Sequence, residues 1–231
     1  MNKTNKIIVM VVLVLIVLFG VGQFFANPST ISPVADNETS STASQSAPLT
    51  PATQVIAYTA IPPASSTPVA RGSCWTNSIA APFRTDAWRC TVGNSISDPC
   101  FQISGSTSTL LCNVNPTVLD STSTFVLTLT QPLPAPDVPS GVPPSNWAWL
   151  VELQGGTLCT PFTGTLPITA GGVAANYGCA PGPLGQNLLI FNGLNSSSSA
   201  WTAEVGTLSE TKSGLPTLAT SSTIPVVTVW Q

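Results

Sequence analysis

Six cysteines and no histidine set the narrowest limits on this chain. The cysteines are Cys74, Cys90, Cys100, Cys112, Cys159 and Cys179, and all follow an apolar N-terminal run. An even number of cysteines in an exported segment reads as a disulfide framework, because thiols oxidise and stay oxidised outside the cytoplasm. Sequential pairing, Cys74–Cys90, Cys100–Cys112 and Cys159–Cys179, closes short loops of the kind that hairpins present. Each such loop contributes about 3 kcal/mol by restricting the unfolded chain. Zinc is the competing use of cysteine. It draws on histidine and on closely spaced cysteine pairs, and the chain has neither histidine nor a Cys-x-x-Cys. No metal or other cofactor is expected.

The export signal is at the start. Lys3 and Lys6 precede an unbroken apolar run from Ile7 to Gly22, which Phe24–Ala26 extends. Residues 1–26 are long enough to span a bilayer core. The preceding lysines place the N-terminus in the cytoplasm and the remainder outside. Gly20 and Gly22 also fit a cleaved signal peptide. An uncleaved transmembrane anchor makes the membrane a partner through the N-terminal helix, whereas cleavage makes the chain secreted. Residues 27–54 are rich in Ser, Thr and Pro and have no lysine, arginine or aromatic residue. Such a segment cannot offset its ordering entropy and reads as a disordered linker. Residues 55–231 are the expected extracellular β-domain.

Charged residues are 6% of the chain, against about a quarter in ordinary globular proteins. From Asn27 onward, Arg71, Arg84, Arg89 and Lys212 face all nine acids, so the exported part is net negative. That excludes nucleic acid as a partner, because phosphate neutralisation needs a cationic surface.

Short apolar alternations separated by Gly and Pro follow the linker. Val55–Ile61 is a first strand, and Phe125–Thr130 sets Phe125, Leu127 and Leu129 on one face. A proline-rich loop spans Pro132–Pro144. Trp147–Leu153 then puts Trp147, Trp149, Val151 and Leu153 on one face, with Glu152 opposite. Gly155-Gly156 turns the chain into Thr157–Phe162 as a hairpin partner. Val173–Cys179, Leu188–Phe191, Ala200–Leu208 and Ile224–Trp230 complete the set. The fold class is all-β, a disulfide-stabilised sandwich or open barrel, preceded by one transmembrane helix and a disordered stalk.

The densest chemistry lies in Gly72–Phe101, GSCWTNSIAAPFRTDAWRCTVGNSISDPCF. GSCW, DAWRC and DPCF resemble the signature of an uncharacterised family of exported or membrane-anchored bacterial proteins. The later Trp149–Cys159 segment with its G-x-x-C turn, the Asn176–Cys179 segment and the terminal Trp230 are similar as well. The resemblance covers roughly Arg71 to Trp230. It implies an extracytoplasmic domain of the bacterial cell envelope and carries no known activity.

Asp86 and Asp98 flank Arg89 in a stretch otherwise nearly free of charge. Arg89 can pair with an acid and close the stretch as a knot. Alternatively, Arg84 or Arg89 grips a ligand carboxylate or phosphate. Trp147 and Trp149, two apart on a strand, suit either a core or a platform for a sugar ring or peptide; Trp75, Trp88 and Trp201 pose the same choice, and exposure beside an arginine favours binding. No catalytic residue stands out. Without histidine, Ser-His-Asp and Cys-His chemistry are absent, and disulfides leave no thiolate. The function expected is therefore a non-catalytic extracytoplasmic domain tethered to the bacterial membrane, for recognition of an envelope glycan or protein. One alternative is a glycan-active surface enzyme using two carboxylates. Another is a subunit of a surface assembly, joined through the β-branched terminal strand.

The framework reading predicts that alkylation of the unreduced chain labels no cysteine and that labelling after reduction and unfolding reaches all six. Labelling before reduction contradicts it.

Overall fold

Alternating apolar and hydroxyl-bearing residues give strands wherever Gly, Pro or Asn does not interrupt them. The computed structural model describes residues 50–63, 65–118, 123–182, 184, 187–209 and 214–231. The expected anchor, residues 1–26, and the linker as far as residue 49 lie outside these. The described residues form strands and loops without a helix. In chain order the strands are β1 (Gln54–Ile56), β2 (Val69–Asn77), β3 (Ala87–Val92), β4 (Ser95–Gln102), β5 (Thr109–Cys112) and β6 (Phe125–Leu129). There follow β7 (Leu150–Leu153), β8 (Thr157–Pro161), β9 (Ala175–Cys179), β10 (Leu189–Asn195), β11 (Thr202–Ser209) and β12 (Thr217–Trp230).

The expected sandwich or open barrel is corrected at this point: both sheets close. Strands β2-β3-β4-β5-β6 form one barrel, and β7 to β12 run in sequence until β12 pairs back to β7. Strand number sets the seam of each. Five strands in up-and-down order cannot close with every pair antiparallel, so β2 and β6 meet in parallel, Val69 opposite Val126. Six strands can, and β12 closes antiparallel on β7, Trp230 opposite Leu150. Sequence alternation is the same for a closed sheet and an open one, so closure is not legible from it. Strand β1 adds in parallel to the end of β12, Gln54 opposite Thr228. Across Thr228–Trp230 the terminal strand therefore has partners on both sides, β1 and β7. Over those three residues it is not an open edge.

All three disulfides join direct cross-strand partners in the sequential order expected. Cys74–Cys90 ties β2 to β3, Cys100–Cys112 ties β4 to β5, and Cys159–Cys179 ties β8 to β9. Their location fits an extracytoplasmic protein. In the first barrel the bridges are also the core. A barrel of five strands is narrow, and its interior holds Cys74, Cys90, Cys100 and Cys112 with Trp88, Leu110 and Leu127. Gly72 shows how tight the wall is: a Cβ there would stand 2.0 Å from the Thr91 carbonyl oxygen. The second barrel has a conventional aliphatic interior, including Val151, Leu153, Ile190, Val205 and Val229.

A third apolar cluster joins the barrels through their outer faces. Phe101 and Leu111 from the first barrel meet Leu150 and Trp230 from the second, with Trp149 between them. Tyr58 and Ala60, from the segment linking β1 to β2, pack into the same cluster. The Tyr58 ring lies 4.8 Å from Phe101 and 5.2 Å from Trp149. The first expected strand, Val55–Ile61, therefore stops at Ile56, and its remainder becomes interface.

Of the two tyrosines in the chain, Tyr58 is half-buried in the interface and Tyr177 is buried in the second barrel. Tyr177 donates its hydroxyl to the Ala148 carbonyl. Burial penalises the phenolate and pushes each pKa up to about 12, with the Arg84 guanidinium opposing the shift at Tyr58. A raised folded-state pKa means stability is complete below pH ~10 and falls as pH rises from there through about 12. Spectrophotometric titration should show no phenolate until well above pH ~10, coinciding with alkaline loss of stability. A phenolate transition near pH ~10 in the folded protein contradicts this packing.

Candidate functional site

The loop after β2 is built around one carboxylate. Asp98, on β4, accepts hydrogen bonds on Oδ1 from the Ser78 hydroxyl and the Ala80 N–H, and on Oδ2 from the Ile79 N–H and Arg89 Nη1. Its side chain is 2% exposed. A carboxylate offers about four lone-pair positions, and these donors fill them. Ser78 in turn accepts from the Ala81 N–H, which fixes the loop's first turn.

Arg89 carries this knot outward. Its Nη1 also donates to the Thr163 carbonyl, in the loop after β8, at 2.8 Å. Its guanidinium carbon lies 5.9 Å from the centre of the Trp75 ring. Strand β2 bulges at Trp75, between the pairs Cys74 opposite Cys90 and Thr76 opposite Arg89. Cys74 points into the barrel and Trp75 out of it, 46% exposed. Of the tryptophans that sequence left open between core and surface, Trp75 is thus the one exposed beside an arginine. Trp88 and Trp201 are buried.

Arg84 makes a second tie. It binds Asp86 through Nε at 2.8 Å and Nη2 at 2.6 Å, and its Nη1 donates to the Gln231 carbonyl at 2.7 Å. It also lies over the Phe101 ring, 5.0 Å from the centroid. Both arginines expected to hold a ligand or a knot are thus engaged by protein carboxylates and carbonyls, and both bridge the two barrels.

Trp147 and Trp149 are not on a strand. The strand expected over Trp147–Leu153 begins at Leu150, so its alternation does not reach back to them. Trp149 is 1% exposed and lies in the interface cluster, whereas Val151 and Leu153 face the second barrel's interior. Its indole N–H has no hydrogen-bond partner and sits among aromatic rings, where contact with their π faces is the available compensation. Trp147 is half-buried, edge-on to Phe83 with ring centres 5.6 Å apart. Glu152, on the outer face of β7 with Leu150 as alternation requires, is half-buried.

A cleft of about 340 Å³ opens between the barrels, and its wall includes Asp98, Asn113, Asn115, Trp149, Leu158 and Thr160. No motif marks these positions, because Asn, Ser and Thr are common throughout this chain. Among the described residues no group of acids and cysteines is placed to hold a metal ion, and no helix is long and apolar enough to cross a membrane. The chain matches no family model, no curated protein and no solved structure. The resemblance to an exported bacterial family therefore rests on its motif residues alone.

Proposed function

We propose that the chain is a non-catalytic extracytoplasmic domain, tethered to the bacterial membrane by residues 1–26 and displayed for recognition of the cell envelope. The observation that carries this reading is Trp75. A large apolar ring is held half-exposed on a barrel wall, and the arginine beside it is immobilised by a buried carboxylate. Rigid amphipathic rings of this kind give contact area at little entropic cost, which is why Trp and Arg concentrate at binding hot spots. Three cross-strand disulfides suit a head that must persist outside the cell. Three of the described carboxylates are engaged within the chain: Asp98 is saturated by donors, Asp86 is chelated by Arg84, and Glu204 accepts from Asn192.

Retention of the full chain on purified cell-wall sacculi and on an immobilised glycan panel tests this. Trp75→Ala should reduce retention about tenfold, as expected for losing roughly 1.4 kcal/mol of contact, and should leave the melting temperature unchanged. Retention by neither surface, or retention indifferent to Trp75→Ala, contradicts the assignment.

A further inference from the structure

The geometry points to the cleft between the barrels as a binding site for one or two uncharged sugar units bearing hydroxyl and amide groups. This rests on the recognition reading and adds a site and a ligand class to it.

The argument begins with charge. Asp98 is the one ionisable residue among the described residues of the cleft wall. Its lone pairs are already taken by Ser78, Ile79, Ala80 and Arg89, so it has no acceptor left for a ligand, and its charge is balanced by Arg89. Among the described residues of the wall, a cationic ligand finds no free carboxylate and an anionic one no free cation. Burying an unpaired ionic group against such a wall is unfavourable. The cleft therefore selects neutral ligands.

The hydrogen-bonding groups are amides and hydroxyls. Asn113 lies in the left-handed region, φ 52°. Its backbone carbonyl accepts from Thr124, but its side-chain amide bonds to none of the described residues. Asn115 uses its Oδ1 to accept from the Thr117 N–H and hydroxyl, and its NH2 donates to none of the described residues. Thr160, exposed on β8, adds a hydroxyl from the second barrel. Donors and acceptors of this mixed kind match sugar hydroxyls and an acetamido group. Val114 and Leu158, both half-buried, give the apolar wall that the C–H face of a sugar ring or an acetamido methyl requires, with the buried Trp149 and Leu150 behind them. A volume of about 340 Å³ is at the small end of ligand pockets, roughly 300–1,000 Å³, and suits one or two rings rather than a long chain. Because the walls come from different barrels, the site exists only while the interface cluster holds them together.

The test is an NMR or calorimetric titration of the full chain with N-acetylglucosamine, glucose and the carboxylated sugar N-acetylmuramic acid. Saturable binding of N-acetylglucosamine is expected, with the carboxylated sugar at least tenfold weaker. Asn113→Gly should weaken binding about tenfold, since it removes the amide while glycine tolerates the positive φ. Ala180→Trp, at the cleft wall, should abolish binding by filling the space. If Ala180→Trp does not fold, Asn113→Gly alone decides. Absence of saturable binding by either neutral sugar overturns the proposal, as does equal binding of the carboxylated one or binding indifferent to Asn113→Gly. If the sugars fail while sacculi still retain the chain through Trp75, the cleft assignment falls and the recognition reading stands. If sacculi and glycans also fail to retain it, both fall.

Discussion

A carboxylate with every lone pair engaged holds this structure's working parts in place. Asp98 stands in a chain with few charges, and its side chain is removed from water. Two backbone N–H groups, a hydroxyl and a guanidinium satisfy it. Each donor serves a separate purpose. The backbone groups shape the loop after β2. Ser78 relays the contact to Ala81. Arg89 reaches the second barrel at Thr163 and braces Trp75 on the surface. Buried ion pairs seldom add much net stability over apolar substitutes. Their effect here is positional: one anion fixes a loop, an inter-barrel tie and an exposed aromatic ring at once. The same saturation leaves Asp98 with no lone pair to offer the cleft beside it.

Around that anion the two barrels reach stability by different means. Five strands enclose too little space for a full aliphatic core, and two disulfides fill it beside Trp88, Leu110 and Leu127. Six strands enclose more, and branched aliphatic side chains suffice. Phe101 on β4, Leu111 on β5, Leu150 on β7 and Trp230 on β12 also turn apolar side chains outward, into the contact between the barrels. Strands covered on both faces lose the polar half of their alternation, which is why Leu110-Leu111 on β5, Leu150-Val151 on β7 and Val229-Trp230 on β12 read as continuous apolar runs. The Arg84 tie to Gln231 closes the same interface at its rim.

How much of this was legible in the sequence follows from the range of each interaction. Disulfide pairing was legible, because cross-strand bridges join cysteines near in sequence and the spacing carries the signal. The strands at Phe125 and Thr157, and those ending at Cys179 and Trp230, were legible from alternation and glycine turns. The pairing of Arg89 with an acid was legible because so few charges compete for it. Closure was not, since it depends on β12 meeting β7 and β6 meeting β2 across long separations. The tryptophans at 147 and 149 were assigned to a strand face because two-residue spacing is identical for a strand and for the extended segment that precedes one. Trp75 stood out only as one of several core-or-surface aromatics, and a β-bulge decided its exposure. The amides of the cleft gave no signal in a chain where amides and hydroxyls replace charge almost everywhere.

The central claim is that Asp98 organises the loop, the inter-barrel tie and the aromatic surface as one unit. The direct measurement is the unfolding free energy of Asp98→Asn, by denaturant titration with disulfides intact. Asparagine keeps the shape, but puts an NH2 where a carboxylate oxygen accepted two donors, and leaves Arg89 without its counter-charge. A loss of about 3–5 kcal/mol, with a change in Trp75 fluorescence in the folded state, is the result this account predicts. A variant within about 0.5 kcal/mol of the parent with unaltered fluorescence would contradict it.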